Sequence, residues 1–389
     1  MIYVFYLDGI PKTGAGNMHG GNAYSKRMIR KLVDAGLKIS ILIPQMYKPV
    51  DNEEKEIFEN KNVTLIERKA LDSGMELEDD SILFFPLLRG KNMGILESFK
   101  KKNKNIQIYI TIHGLRLLDL KPDSYDRYYN SGISYYLYNL ISPGIYWIKS
   151  SIYKRMMDQK LQYADKVFTV SNYSLKQITS YTHPKYIKPY YCGINLGVKR
   201  TEALKNRERY FLFVSAKRSE KNFLRTLEAF IKYAKEDKDG NYSLYVTGLD
   251  HKMTMKLKRY KKWDSEVIQK KVKIFDYIEA ERLSELYQNA SVILYTSKSE
   301  GFGLPALEAC FSGIPLIAPY GSAVPEVLES AAYYINPYSV DSIFQGIKTM
   351  SDEKVQKDYR ERIIKYEQVA EERIRVSDEN FVKEFLLSK

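Results

Sequence analysis

Glu300-Gly-Phe-Gly-Leu-Pro-Ala-Leu-Glu308 follows an apolar run, Ser291-Val-Ile-Leu-Tyr295, and leads into a second apolar stretch from Ala306 to Phe311. The first run reads as a buried strand and the second as a helix, so the segment between them is a strand-to-helix loop. Gly301 and Gly303 permit left-handed backbone and leave room for a ligand against the main chain. Pro305 suits the start of a helix, where its missing N–H is no loss. The unbonded N–H groups of the first turn and the positive end of the helix dipole suit an anion. Glu300 and Glu308 would repel that anion, so they match neutral hydroxyls, from which they accept hydrogen bonds. Phosphate on backbone amides and hydroxyls on glutamates describe a nucleotide sugar. A plain strand–helix connection with two surface glutamates accounts for the spacing equally well.

The chain has 389 residues, enough for two domains with sizeable cores, and 44% of them are hydrophobic. No window of 18 consecutive apolar residues suggests a membrane span. Met1-Ile-Tyr-Val-Phe-Tyr-Leu7 has no basic leader and reads as a first core strand rather than a signal peptide. Cys192 and Cys310 are far apart and make no disulfide or metal framework, which fits a reducing cytoplasm. The formal net charge is +13. Much of it lies in Lys100–Lys102, Lys104, the stretch 256–262 and Lys270-Lys271, as expected of solvated surface, and it also suits an anionic membrane. Between Tyr125 and Tyr163 aromatics are dense, with Lys149, Lys154 and Arg155 close by. This region reads as tyrosine-rich helices covering a sheet, with a membrane interface or a sugar-stacking wall as alternatives.

Strands are expected at Ile2–Leu7, Lys38–Pro44, Val63–Glu67, Ser81–Phe85, Ile106–Ile112, Ala164–Val170 and Ile187–Cys192. A second series runs through Tyr210–Val214, Ser243–Thr247, Val272–Phe275, Ser291–Tyr295 and Pro315–Pro319. Helical stretches separate them, which is the pattern of parallel α/β sheets. Gly14-Ala-Gly-Asn-Met-His-Gly20-Gly21 lacks the third glycine of a dinucleotide fingerprint, and no acidic residue closes the second strand, so a nicotinamide site is disfavoured. His113 stands at a strand's carboxyl end, where doubly wound folds place active residues. Ser215-Ala-Lys-Arg-Ser-Glu-Lys-Asn222 joins a strand to a helix and offers Arg218 and Lys221 as cations beside a helix N-terminus, a place to clamp a diphosphate. Lys199–Arg209 is polar and reads as a linker. Asp237-Lys-Asp239 reads as a surface turn rather than a metal motif.

Extended from Ser299 through Ala309 and on to Ser312-Gly-Ile-Pro-Leu-Ile-Ala318, the opening segment closely resembles the signature of the retaining GT-B glycosyltransferases of family 4. The resemblance implies two Rossmann-like α/β domains with mainly parallel sheets facing an inter-domain cleft, and a last helix crossing back to the first domain. The corresponding division is 1–198 on the acceptor side, 199–365 for the donor, and 366–389 for the returning helix. It implies transfer of a sugar from a nucleotide-diphosphate sugar to the hydroxyl of a glycan, lipid-linked or other acceptor, in surface polysaccharide or glycoconjugate synthesis. Glu300 would lie at the donor sugar and Glu308 at the ribose, with Gly301, Phe302, Gly303 and Leu304 lining the sugar and diphosphate. Gly20 and Gly21 would approach the donor, His113 would contact its sugar, and Ser215, Arg218 and Lys221 would meet the diphosphate. The family commonly has an Arg where this chain has Ala216, so Arg218 or Lys217 is the expected substitute. Asp276-Tyr277 replaces a usual glycine, which places Tyr277 near the base. No metal cofactor is implied, because Lys221, a neighbouring cation and helix amides would stabilise the leaving group, whose oxygen takes the acceptor's proton. Cysteine usage together with the basic charge gives a cytoplasmic protein, peripheral on the inner membrane face, as the expected location. A glycoside hydrolase using Glu300 and Glu308 is one rival reading, opposed by Glu308 lying inside a helix beside a phosphate-type loop; a basic nucleic-acid-binding protein is the other, which lacks a reader motif and leaves the strand-end arrangement unexplained.

Overall fold

The computed structural model describes residues 1–5, 20–49, 51–72, 76–88, 94–103, 105–191, 209–237, 241–260, 262–263, 265–276 and 278–387. The chain divides into two compact units, one of residues 1–115, 150–193 and 372–389, the other of residues 116–149 and 194–371.

The first unit is built on a parallel sheet of β1 (Ile2–Phe5), β2 (Ile39–Ile43), β3 (Val63–Glu67), β4 (Ile82–Phe85), β5 (Gln107–Ile112), β6 (Lys166–Thr169) and β7 (Ile187–Pro189). Its strand order is β3-β2-β1-β4-β5-β6-β7. β1, β2 and β4 are buried along their whole length, which is why they read as unbroken apolar runs rather than alternating ones. The helix Gly20–Asp34 buries Tyr24, Met28, Ile29 and Leu32, one face of a 3.6-residue repeat. On the last helix, Glu353–Leu386, Phe381 and Phe385 are fully buried against Phe84, at ring separations of 5.8 and 5.2 Å. Each such ring contributes roughly 1.5–3 kcal/mol by burial.

The second unit holds β8 (Tyr210–Phe213), β9 (Ser243–Val246), β10 (Val272–Ile274), β11 (Val292–Leu294), β12 (Leu316–Pro319) and β13 (Tyr333–Ile335). All pairings are parallel, in the order β10-β9-β8-β11-β12-β13. Both sheets therefore contain the Rossmann order that the resemblance implies. β13 was not among the expected strands; it has three residues, Tyr-Tyr-Ile, at the sheet's edge. The helix Val340–Met350 lies close to it through Gly346, where a Cβ would stand 2.8 Å from Ile335 Cγ2.

Residues 116–149 group with the second unit, whereas the division at residue 198 places them with the first. The physical reason lies in long-range partners. Tyr128, on the short turn Ser124–Tyr129, joins the apolar cluster of Tyr260 and Trp263. Asp123 accepts from Arg225 at 2.8 Å, and Asp126 from Lys298 at 2.6 Å. The expected linker lies outside the described residues apart from Arg209. The tyrosine-rich region is one long helix, Ile133–Leu161, rather than a pair. Asp237 caps a helix and accepts from the amide of Asn241, while Lys238 and Asp239 lie outside the described residues.

Candidate functional site

In the second unit β8 and β11 are neighbours, yet β8 is followed by β9 on one side and β11 by β12 on the other. Such a switch in direction opens a crevice at the strands' carboxyl ends, where doubly wound folds bind ligands. Two segments leave from this point: residues 214–222 after β8 and residues 295–303 after β11.

The β8 side is rigidly set. Ser215 has φ +65°, in the left-handed region, and Gly248 after β9 packs on it so closely that a Cβ would lie 3.2 Å from Ser215 Cα. Asn222 also has φ +70°, a conformation that Asn and Gly tolerate best, and this explains an Asn after Lys221. Its Nδ2 donates to the carbonyls of Thr296 (3.2 Å) and Pro337 (2.6 Å), and its Oδ1 accepts from Arg225 Nη1 (2.7 Å). These bonds tie the β8 turn to the end of β11. Lys221 is thereby directed at Glu300, with Nζ 2.6 Å from Oε1, and lies 5.0 Å over the Tyr295 ring. The two side chains are only 9% and 11% exposed.

Burial opposes the ionised form of Glu300, but the Lys221 ammonium outweighs it and holds the carboxyl below its usual range. Tyr295 is buried beside this carboxylate, and burial, then the negative charge, push its phenol well up. The hydroxyls of Tyr295 and Ser297 are buried without a hydrogen bond of ordinary geometry among the described residues. Together with Ser215, Lys221, Tyr287 and Pro305 they line a cavity of ≈ 30 Å³, space for a water-sized group. The pair is thus a preformed charged couple at the mouth of a helix turn.

Gly303, with φ +101°, is the cap of the helix Leu304–Phe311, and its carbonyl receives the amides of Ala306 and Leu307. Phe302 is buried, and the amide of Ala323 reaches back to the Glu300 carbonyl at 3.2 Å. Replacing Gly303 by Ala forces a side chain into left-handed backbone and sets its Cβ 3.4 Å from Val324 Cγ2. A loss of about 1–2 kcal/mol is expected, read as a lower urea midpoint at unchanged m-value. Glu308 is exposed on that helix, and desolvation by the protein on its inner side raises its carboxyl.

The flanking cations are engaged elsewhere. Arg218 Nε lies 2.7 Å from Glu220 Oε1, which also accepts from Arg116 Nη1 at 2.9 Å. Burial works against the Glu220 charge, and these guanidiniums hold its carboxyl low. Lys217 Nζ is 2.5 Å from Asp250. Ala216 is fully buried, and its carbonyl accepts from Tyr129 at 3.3 Å. Sequence reasoning missed Asp119, which accepts from the Ser299 hydroxyl at 2.7 Å, and Lys298, which is 2% exposed between Asp123 and Asp126. Asp119, Asp123 and Asp126 thus hold the two residues before Glu300 from more than a hundred residues away, so no local pattern signals them.

In the first unit, His113 follows β5 as expected; its Nε2 donates to the Pro86 carbonyl at 3.0 Å, and its ring meets Tyr24 edge-on at 4.6 Å. Gly20 and Gly21 are the first residues of their helix, and Gly21's carbonyl accepts from Ser25 Oγ. Tyr277 lies outside the described residues.

A family model described as glycosyl transferases group 1 matches residues 198–369, the stretch that carries the whole switch-point arrangement. Residues 198–369 are related to the group 1 glycosyl transferases. Over 147 residues the chain is 33% identical to the O-antigen chain mannosyltransferase RfbU of Salmonella typhimurium, covering 38% of this chain and 39% of that one. Over 143 residues it is 29% identical to the O-antigen chain mannosyltransferase B of Escherichia coli, covering 34% of each. The chain thus spans well under half the length of these curated relatives. Sucrose-phosphate synthase from Thermosynechococcus elongatus shares the fold, with a TM-score of 0.66 at 16% identity over 98% of this chain and 99% of that one. The group 1 match and this shared fold identify the two Rossmann-like units as those of the GT-B architecture.

Proposed function

We propose that this chain transfers a hexosyl group, mannosyl first among them, from a nucleoside diphosphate to an acceptor hydroxyl during polysaccharide assembly, with retention of configuration. The observation that carries the proposal is the buried Lys221–Glu300 pair at the strand switch point, within the group 1 region. The names of the O-antigen relatives support a sugar-chain acceptor and a mannosyl donor.

In this reading the diphosphate enters beside Lys221 and the first turn of the helix Leu304–Phe311, and the sugar hydroxyls donate to Glu300. The bond from the anomeric carbon to the phosphate oxygen breaks, and the acceptor oxygen bonds to the same face. The acceptor's proton passes to the departing phosphate oxygen, so no protein nucleophile is consumed. Charge growing on the diphosphate is met by the Lys221 ammonium and the helix amides, groups already aimed before reaction. Glu300, held ionised by Lys221, faces the positive charge that develops on the sugar ring. Glu308 takes the ribose, and His113, with Nε2 held by Pro86, orients the sugar. Arg218 reaches the diphosphate by leaving Glu220. The acceptor is met at an anionic membrane surface.

A thermal-shift screen of nucleoside diphosphates and their sugars tests the donor assignment. A true donor at 100 times its dissociation constant stabilises the protein by about 2.7 kcal/mol. Absence of a shift with every nucleotide, in wild-type protein, would overturn the reading.

A further inference from the structure

The long helix Ile133–Leu161 is apolar on the wrong side. Tyr135, Tyr138, Ser142, Tyr146, Ser150, Tyr153, Met157 and Leu161 recur at helical spacing, and all are half-buried or buried. This inner stripe is largely tyrosine and serine; Tyr146 even spends its hydroxyl on the Leu118 carbonyl, at 2.9 Å. The outer stripe is Ile133, Leu137, Leu140, Ile141, Ile145, Ile148 and Ile152. Ile133 and Leu140 are 76% and 79% exposed, Trp147 is 74%, and Ile148 and Ile152 are 63% and 62%. A helix facing water has its polar residues outside. Here the outside is the more apolar face, and a contiguous patch of this kind marks an interaction surface.

Charge selects the occupant. From Arg127 to Met157 the sequence has no Asp or Glu, while Lys149 and Arg155 continue the outer stripe at helical spacing and are exposed. Trp147 and Tyr136, also exposed, are the residue types that settle at a lipid headgroup boundary. A second copy of the chain would bring the same cations against each other on a protein of net charge +13, a repulsive match. No helix among the described residues is long and apolar enough to cross a membrane. A helix lying in the plane of the interface needs no such length.

We propose that the outer face of residues 133–152 inserts into the surface of an anionic lipid bilayer, with Leu140, Trp147 and Ile148 in the acyl boundary and Lys149 and Arg155 at the headgroups. The inference rests on the proposed function only for what is glycosylated there; the binding itself is independent of catalysis.

The test is flotation of the full chain at low salt with vesicles of phosphatidylcholine alone, or of phosphatidylcholine with phosphatidylglycerol. Wild-type protein should float with the anionic vesicles. The double variant Leu140→Glu/Ile148→Glu should partition at least about ten-fold less, equivalent to about 1.4 kcal/mol. Its melting temperature and nucleotide affinity should stay unchanged, since both side chains are exposed. Trp147 emission should shift to the blue on vesicle addition, and Trp147→Phe should abolish the shift, because Trp263 is only 6% exposed. Equal flotation of wild type and double variant would overturn the proposal. So would wild-type protein that floats with neither vesicle, or that forms a dimer which the double variant dissociates. Turnover of nucleotide sugar with a soluble acceptor, measured alongside, reports the proposed function separately.

Discussion

Lys221→Ala is expected to lower turnover by roughly 100-fold or more, because it removes a preorganised cation whose interaction strengthens as charge grows on the leaving diphosphate. A second effect follows from the ion pair. With Lys221 gone, burial is opposed only by the neighbouring Ser297 and Tyr295 hydroxyls, and the Glu300 carboxyl is expected to rise. Stability should fall at neutral pH, since removing one partner of a buried pair costs about 3–5 kcal/mol unless the other is neutralised. The Glu300 group in the variant can escape by taking a proton, so the loss should shrink as pH drops through its raised pKa. Denaturation at pH 5 and pH 8, beside turnover measurements, checks both effects. Wild-type turnover in the variant would refute the clamp.

The second large effect separates the two glutamates. Glu300→Gln keeps the shape but removes the negative charge facing the sugar ring, so turnover should fall, while release of the Lys221 ammonium from its pair means that free-nucleotide affinity should not weaken. Glu308→Gln, away from bond breaking, should weaken nucleotide and nucleotide sugar alike by about 1–3 kcal/mol, the worth of a charged hydrogen bond. The raised pKa of Glu308, to about 7, adds a pH signature. Only the ionised carboxylate accepts from both ribose hydroxyls, so wild-type nucleotide affinity should weaken as pH falls through about 7. In Glu308→Gln that dependence should shrink to the part set by titration of the ligand's own terminal phosphate, whose second pKa is about 6. Calorimetric titration of nucleoside diphosphate at pH 6 and pH 8 decides the point. The reverse pattern, with Glu300 governing nucleotide affinity, would mean that the donor lies the other way round.

The fold was legible because a parallel sheet is covered on both faces, so its inner strands appear as plain apolar runs; Ile82–Phe85, buried along its whole length, lies within the expected Ser81–Phe85. β13 escaped because three half-buried residues at an edge carry no such run. Lys221 and Glu300 were each visible beside a helix start, but their contact was not, since they are 79 residues apart. The same distance problem hid Asp119 and the partners of Lys298, and it hid Arg116 as the second partner of Glu220. The helix Ile133–Leu161 was visible as an aromatic region, yet it has a tyrosine- and serine-rich stripe and an aliphatic one, and only exposure reveals that the aliphatic one is left outside. Arg218 and Lys217 were expected beside the diphosphate; the structure pairs them with Glu220 and Asp250, which sequence offered no means to rank.

The central claim is that the Lys221–Glu300 site moves a sugar from a nucleoside diphosphate. The measurement that tests it most directly is incubation with radiolabelled nucleotide sugars and a glycan acceptor, following nucleoside diphosphate release and product configuration by NMR. The account predicts stoichiometric release of nucleoside diphosphate with a product of retained configuration, both lost in Lys221→Ala. Glycan cleavage without any nucleotide, or a product of inverted configuration, would contradict it.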